Sequence, residues 1–277
     1  MNRRQFLKGI AGSTLVVPLA GAAYGRAEAG WIDITRQTIA VPNLPPPFAG
    51  KTIALLTDPH HGPFNSLPFL HSIVEQANAM KPDLIALAGD FIQGPRREYI
   101  VPGLQAFAPL RAPLGVYAVP GNHDHLRGNI AAVRRSIRDS GLTDLTNTGR
   151  WIELDGHRLR LGGVDDLWHG EQDLDAALGN ATERDACVLL CHNPDYAETL
   201  RDPRVGLMLS GHMHGGQIVL PGLGYHALPS RYGVKYLQGL IKAPRTQVFV
   251  SRGLGTVGLP LRIHCRPEIN LLTLAAA

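Results

Sequence analysis

The sequence predicts a layered α/β fold in a single domain over residues 30–277. Short apolar runs of strand type alternate with longer stretches of helical spacing, an order typical of layered α/β proteins. The last third of the chain is richer in strand-like runs. A chain of about 250 residues can bury one large core without splitting into two domains.

The predicted elements follow from the spacing of apolar residues. Five runs of four or five mostly aliphatic residues are typical of strands buried on both faces, namely 52–56, 84–88, 116–119, 187–190 and 205–209. The stretches between them predict helices at 67–80, 97–110, 129–140 and 173–178. Further strands are predicted at 157–164, 247–251, 261–265 and 269–274.

A polar motif follows each of the five aliphatic strands. The motifs are Asp58-Pro59-His60, Gly89-Asp90, Gly121-Asn122-His123-Asp124, Cys191-His192-Asn193 and Gly211-His212-Met213-His214. Ligands of open α/β sheets collect at the carboxyl ends of the strands, so motifs far apart in sequence can meet there. The sequence therefore predicts one site built from five loops.

The residue types of this site indicate metal binding. Histidine, aspartate and asparagine without a thiolate suit Mn²⁺, Fe or Zn²⁺, and these side chains outnumber the ligands that one ion takes. Two neighbouring ions are typical of phosphoester hydrolysis. Taken alone, Asp58 is better explained as a helix cap and Asn122 as a turn residue. Independent caps and turns do not explain five such motifs together.

The five motifs, in this order, resemble the calcineurin-like metallophosphoesterase superfamily from about residue 51 to residue 217. The resemblance implies a two-sheet β-sandwich flanked by helices, the four-layer fold of that family, and a metal-dependent phosphoric ester hydrolase. It also implies two divalent ions and a hydroxide between them as nucleophile. These ligand types accept Mn²⁺, Fe and Zn²⁺, of which Mn²⁺ is the ion favoured here. The implied ligands are Asp58, His60 and His214 for one ion, Asn122, His192 and His212 for the other, and Asp90 for both.

His123 has the position of a family histidine that lies beside the scissile phosphate without binding metal. The resemblance implies that it stabilises the transition state or protonates the leaving oxygen, which an imidazole can do near neutral pH. Asp124, the next residue, is expected to orient His123.

Departures from the family pattern count against two branches of the superfamily. Gln93 and Gly94 replace the Asp and Arg that serine/threonine phosphatases carry after the Gly-Asp motif, and Gln93 also replaces the metal-binding Tyr of purple acid phosphatases. The chain is then similar to small exported bacterial phosphoesterases, near the members that cleave the pyrophosphate of UDP-diacylglucosamine. The likeness leaves the scissile bond open between a phosphodiester, a phosphomonoester and a pyrophosphate.

The first 29 residues predict a twin-arginine export signal. Arg3 and Arg4 precede an apolar stretch that is too short to span a membrane and is interrupted by Pro18. Small residues at 20–22 and 27–29 offer cleavage sites. The twin-arginine export machinery is thus an expected partner, and the periplasm or cell envelope the expected location. An uncleaved signal would tether the enzyme to the membrane.

Most of the net positive charge of the chain lies in these first 29 residues. Its basic residues Arg3, Arg4, Lys8 and Arg26 face one acidic residue, Glu28, and the net charge falls from +4 to +1 without it. With no basic stripe left, a nucleic acid is not an expected partner. A phosphoester of the cell envelope, or a scavenged one, is the expected substrate.

Two regions allow alternatives. Residues 220–242 are rich in apolar and aromatic side chains and suggest either a lid, a lipid-contacting rim or ordinary loop packing. The three cysteines are expected in the core, and Cys187 and Cys191 are too far apart along one strand to form a disulfide, although either could pair with Cys265.

Three further functions remain open at this stage. The chain could be a catalytically quiet, metal-bearing binding module, a membrane-tethered envelope factor, or a UDP-diacylglucosamine pyrophosphatase-like lipid enzyme.

Overall fold

The structure, a computed structural model, describes residues 20–94, 96–220, 222–225 and 228–277. The Arg3-Arg4 pair and most of the apolar stretch after it lie outside these residues. The described strands are β1 (Asp33–Val41), β2 (Thr52–Leu56), β3 (Leu84–Ala88), β4 (Val116–Val119), β5 (Thr143–Asp144), β6 (Thr148–Leu154), β7 (His157–Gly163), β8 (Cys187–Leu190), β9 (Leu207–Ser210), β10 (Val219–Leu220), β11 (Gly224–Tyr225), β12 (Gly239–Lys242), β13 (Gln247–Val250) and β14 (Glu268–Ala276). The helices are α1 (Leu67–Ala79), α2 (Ile100–Gln105), α3 (Ile130–Asp139), α4 (Leu174–Leu178) and α5 (Tyr196–Thr199), and residues 20–28 are also helical.

Two six-stranded sheets form a sandwich. The first has the order β1-β14-β2-β3-β4-β5 and the second the order β12-β13-β9-β8-β7-β6. Strands β2, β3 and β4 are parallel, as are β7, β8, β9 and β13. The carboxyl ends of the motif strands within each sheet therefore lie at one edge.

Alternation along the strands divides the core into layers. Leu55 of β2 packs between the sheets against the inner face of β8 and β9, while its neighbours Ala54 and Leu56 face the helices. Helix α1 covers that outer face with Leu70, Ile73, Val74 and Ala77, the spacing of an amphipathic helix. Helices α4 and α5 cover the outer face of the second sheet. The predicted two-sheet α/β sandwich with flanking helices is confirmed.

Element bounds are confirmed for the aliphatic strands at 52–56, 84–88, 116–119 and 187–190. The predicted helix 97–110 is wrong, because a 3-10 turn at Arg97–Tyr99 precedes a short α2 that contains Pro102 and Gly103, both poor helix formers. The predicted strand at 205–209 begins at Leu207, two residues later, after Gly206.

The predicted strand 261–265 is also wrong. Its residues make only an isolated bridge between Ile263 and Ile218, and the side chain of Arg262 turns inward to bond backbone carbonyls. The three cysteines are buried and free, so the predicted core role is confirmed and the alternative disulfide does not form. In the described part of the chain, no helix has the length and apolar character needed to cross a membrane.

Candidate metal centre

All seven predicted metal-ligating side chains lie together at the carboxyl ends of β2, β3, β4, β8 and β9. The first group is Asp58, His60 and His214. The Nε2 atoms of His60 and His214 are 3.1 Å apart, and His214 Nε2 lies 3.4 Å from Asp58 Oδ1. All three side chains are buried.

The second group is Asn122, His192 and His212. Asn122 Oδ1 lies 3.2 Å from His192 Nε2 and 2.9 Å from His212 Nδ1. Asp90 stands between the two groups, with Oδ2 3.4 Å from His60 Nε2 and 3.2 Å from His192 Nε2. The structure therefore brings together the two ligand sets that the resemblance implies, joined by the one carboxylate expected to serve both.

Hydrogen bonds on the far side of two rings orient their free nitrogens. His192 Nδ1 donates to the Ala88 carbonyl at 2.7 Å, and His212 Nε2 donates to the Pro229 carbonyl at 2.8 Å. When these rings are neutral, the bonds leave a lone pair on His192 Nε2 and on His212 Nδ1, and both face Asn122 Oδ1, itself an acceptor. A cation between such atoms would relieve their repulsion, so these residues fit divalent ions.

The pKa values of three of the four ligand histidines also favour metal binding. Burial lowers the pKa of His60 and of His212 to about 3 and lowers that of His214 well below its usual value. These imidazoles are therefore neutral, the form that binds metal. His192 is the exception: burial would lower its pKa, but the Asp90 carboxylate outweighs burial and raises the value to about 10, so a metal ion would have to displace the proton of this ring.

The backbone at the site is strained. Five of the predicted ligands have positive φ angles in the left-handed region, which non-glycine residues rarely adopt: Asp58 (53°), His60 (45°), Asp90 (56°), His212 (71°) and His214 (50°). Such strain persists where the surrounding structure fixes it and is concentrated at functional sites.

Two motif glycines allow the loops to approach the ligands. A Cβ on Gly121 would lie 2.3 Å from Asp90 Oδ1, and a Cβ on Gly211 would lie 2.2 Å from Asp58 Oδ2. Neither position has room for a side chain.

His123 lies beside the first group and belongs to neither predicted ligand set. Its ring is 4.7 Å from that of His60, its backbone N–H donates to Asp90 Oδ1 at 2.8 Å, and its buried Nδ1 has no hydrogen-bond partner in the described structure. These contacts place the ring at the wall of a cavity of about 290 Å³ that also opens on Asp90, Asn122, His212 and His214.

The expectation that Asp124 orients His123 is wrong. The Asp124 carboxylate accepts instead from the backbone N–H groups of Gly121, Phe91 and Ile92, at 2.9 to 3.3 Å. Burial first and the neighbouring Asp90 second raise the pKa of Asp124 to about 7. Asp124 therefore ties the loop after β4 to the loop after β3.

Arg262 and Trp168 were missed by sequence reasoning. Arg262 is fully buried behind the site and lies against His214, whereas Trp168 stands edge-on to His212 with a ring distance of 4.5 Å. The one signal for Arg262 was a charged residue inside an apolar run. The residue type of Trp168 gave no signal, because the loop after β7 reaches the site only through the fold.

The fold and the metal centre together define a metal-dependent hydrolase of phosphoric esters. The model of the calcineurin-like phosphoesterase family matches residues 51–216, and the chain belongs to that family.

Two of the relatives match over nearly their whole length. The chain is 37% identical to an uncharacterized metallophosphoesterase, YkuE of Bacillus subtilis, over 99% of this chain and 98% of YkuE. It is 30% identical to phosphodiesterase YaeI of Escherichia coli, with 99% of each chain covered.

Proposed function

We propose that this protein is an exported phosphodiesterase with two divalent ions, Mn²⁺ being the favoured one. The observation that carries the proposal is Asp90, whose Oδ2 lies within 3.4 Å of a ligand nitrogen from each group. One carboxylate shared by two complete ligand sets favours two adjacent ions over one.

The proposed ligands are Asp58, His60, His214 and Asp90 for one ion and Asn122, His192, His212 and Asp90 for the other. When bound, the two ions would neutralise the phosphate and supply hydroxide as the nucleophile from a shared water of lowered pKa. Hydrogen bonds to the Ala88 and Pro229 carbonyls would hold the ligand rings of His192 and His212 in place.

His123 is the proposed catalytic residue outside the ligand sets. The bond from its backbone N–H to Asp90 Oδ1 fixes it beside the shared carboxylate. From there its imidazole can donate a hydrogen bond to a phosphate oxygen or a proton to the leaving oxygen. Removing this group would slow turnover and leave the ligands in place.

A diester is favoured over a monoester by the charge around the site. Among the described residues that line the cavity, none is Lys or Arg. A phosphomonoester carries close to two negative charges at neutral pH and a diester carries one, so the diester needs less compensation beyond the ions. The naming of YaeI as a phosphodiesterase supports the same choice.

Export to the periplasm or cell envelope by the twin-arginine machinery is the second part of the proposal. The contacts of Glu28 favour the upstream cleavage site at 20–22 over the predicted signal boundary at residue 29. Its carboxylate is buried and accepts from the backbone N–H groups of His264 and Cys265 at 3.1 and 2.7 Å. Cleavage after Ala29 would remove these bonds.

Metal-restored turnover tests the activity. Chelator-stripped protein would be assayed with bis-p-nitrophenyl phosphate and p-nitrophenyl phosphate after adding Mn²⁺, Fe²⁺, Zn²⁺ or Mg²⁺ separately. We expect restored hydrolysis with the diester preferred. His123→Ala should lose at least about 100-fold in kcat with its metal content unchanged, while His71→Ala, at an exposed position of α1, should match the wild type.

Two results would overturn the proposal. No turnover with any ion, in protein shown to hold two metals, would favour a binding module. Faster hydrolysis of the monoester would exclude the diester preference. For export, Arg3→Lys with Arg4→Lys should retain the protein in the cytoplasm of a bacterial host, and mass spectrometry of the exported wild type should find an N-terminus upstream of Tyr24.

A further inference from the structure

The wall of the cavity beside the metal centre is apolar. Beside the ligands it is formed by Trp168, Met213, Pro229 and Val257. Trp168 is 44% exposed although it touches the His212 ring, so a large aromatic face remains open next to the place that a phosphate would occupy.

The polar groups on this wall are already bonded. The Gln217 amide donates to the carbonyls of Val257 and Leu259 and accepts from the Val257 N–H. His212 Nε2 is bonded to the Pro229 carbonyl. Apart from His123, the predicted ligands and the indole N–H of Trp168, the described lining side chains thus offer a substrate no free hydrogen-bonding group.

Apolar surface continues from the cavity along a hairpin formed by β10 and β11. The Tyr225 ring rests on Gly216 of the cavity lining, since a Cβ on Gly216 would lie 2.5 Å from it. Tyr225 is 40% exposed, and Leu223 at the hairpin tip is 83% exposed. One apolar strip therefore runs from Trp168 across the cavity to the hairpin.

We infer that the substrate is a phosphodiester that carries an apolar group, aryl or alkyl, on an ester oxygen, and that Trp168 determines this specificity. This inference rests on the proposed function, because the ions would anchor the phosphate. A nucleoside or sugar substituent has several hydroxyl and amide groups, and a wall with one indole N–H would leave most of them without partners, which costs affinity. An apolar substituent would instead bury surface against Trp168.

Inhibition by phosphonates tests the inference, since each has the same head group and a single substituent. With bis-p-nitrophenyl phosphate as the reporter, Ki would be measured for the monomethyl esters of methylphosphonate, phenylphosphonate, octylphosphonate and 2-aminoethylphosphonate, whose phosphonate group carries the single negative charge of a diester. We expect phenyl- or octylphosphonate to bind at least about tenfold tighter than methylphosphonate, and 2-aminoethylphosphonate to gain nothing. Tighter binding of the phenyl compound would identify an aryl substituent, and of the octyl compound an alkyl chain.

Variants of Trp168 test whether this side chain causes the preference for an apolar substituent. Trp168→Ala should reduce the ratio of Ki values for methyl- and phenylphosphonate at least threefold, and Trp168→Phe should keep most of it. Trp31→Ala, at an exposed tryptophan outside the cavity lining, should leave the ratio unchanged. Equal Ki values in the wild type, or an unchanged ratio in Trp168→Ala, would overturn the inference while the phosphodiesterase activity stands. Failure to hydrolyse the reporter would overturn both.

Discussion

Arg262 Nη2 lies 3.4 Å from Nδ1 of His214, whose other ring nitrogen is 3.1 Å from His60 Nε2 in the metal centre. No carboxylate pairs with this buried guanidinium in the described structure. Its N–H groups donate instead to backbone carbonyls of Arg252, Gly253, Gly255 and Cys265, at 2.7 to 3.2 Å. Arg262 thus links the C-terminal loops to the turn that carries His214.

Arg262→Met should destabilise the protein strongly. Each buried carbonyl left without a partner costs about 1–3 kcal/mol, so we expect the free energy of unfolding to fall by more than about 3 kcal/mol. Urea denaturation of the metal-loaded protein would measure it. The control is Arg266→Met, whose half-exposed side chain pairs with Asp33 at 3.5 Å and should cost less than about 1 kcal/mol. Equal losses in the two variants would refute the linking role of Arg262.

Gly211→Ala should weaken metal binding. The added methyl group would lie 2.2 Å from Asp58 Oδ2 and 2.7 Å from Thr57 Cβ, so the Asp58 carboxylate would have to move. We expect a loss of about 10–100-fold in affinity, as for other displaced metal-site contacts. Titration of stripped protein with Mn²⁺ would measure it. Gly30→Ala, whose new Cβ would lie 3.5 Å from the nearest atom, is the control. It should bind Mn²⁺ clearly more tightly than Gly211→Ala does.

Much of this architecture was predictable from local patterns, and the exceptions have physical causes. Aliphatic runs such as Leu84–Ala88 specify buried strands because few other structures accommodate them, and the motifs after them converge once the strands are parallel. Arg262 reads as part of a strand because its burial depends on carbonyls supplied by distant loops. Asp124 is adjacent to His123 in sequence, but its bonds to Phe91 and Ile92 depend on how β3 and β4 pack. Such long-range contacts leave no local signal.

Asp124→Asn should lower the stability of the fold and leave the pH dependence of turnover nearly unchanged. An amide cannot accept from three backbone N–H groups as a carboxylate does, and loss of such a charged hydrogen bond costs about 1.5–3 kcal/mol. Thermal denaturation and a pH–rate profile would be compared with those of Asp155→Asn, an exposed turn substitution. Full stability with a shifted pH profile would instead support the role first expected for Asp124, orienting His123.

His125 should stabilise the fold more at low pH than at high pH. Burial lowers the pKa of this imidazole, but the 2.8 Å hydrogen bond between its Nε2 and Asp165 Oδ1 outweighs burial, and the net shift is upward. A raised folded-state pKa gives stability that is fully present below the unfolded value of about 6.5 and is lost as the pH rises through the folded value. The difference in unfolding free energy between wild type and His125→Gln should therefore be larger at pH 6 than at pH 9, as urea denaturation at constant metal concentration would show. The same comparison in an Asp165→Asn background removes the partner and should abolish that pH dependence, and its persistence there would assign the effect to another group.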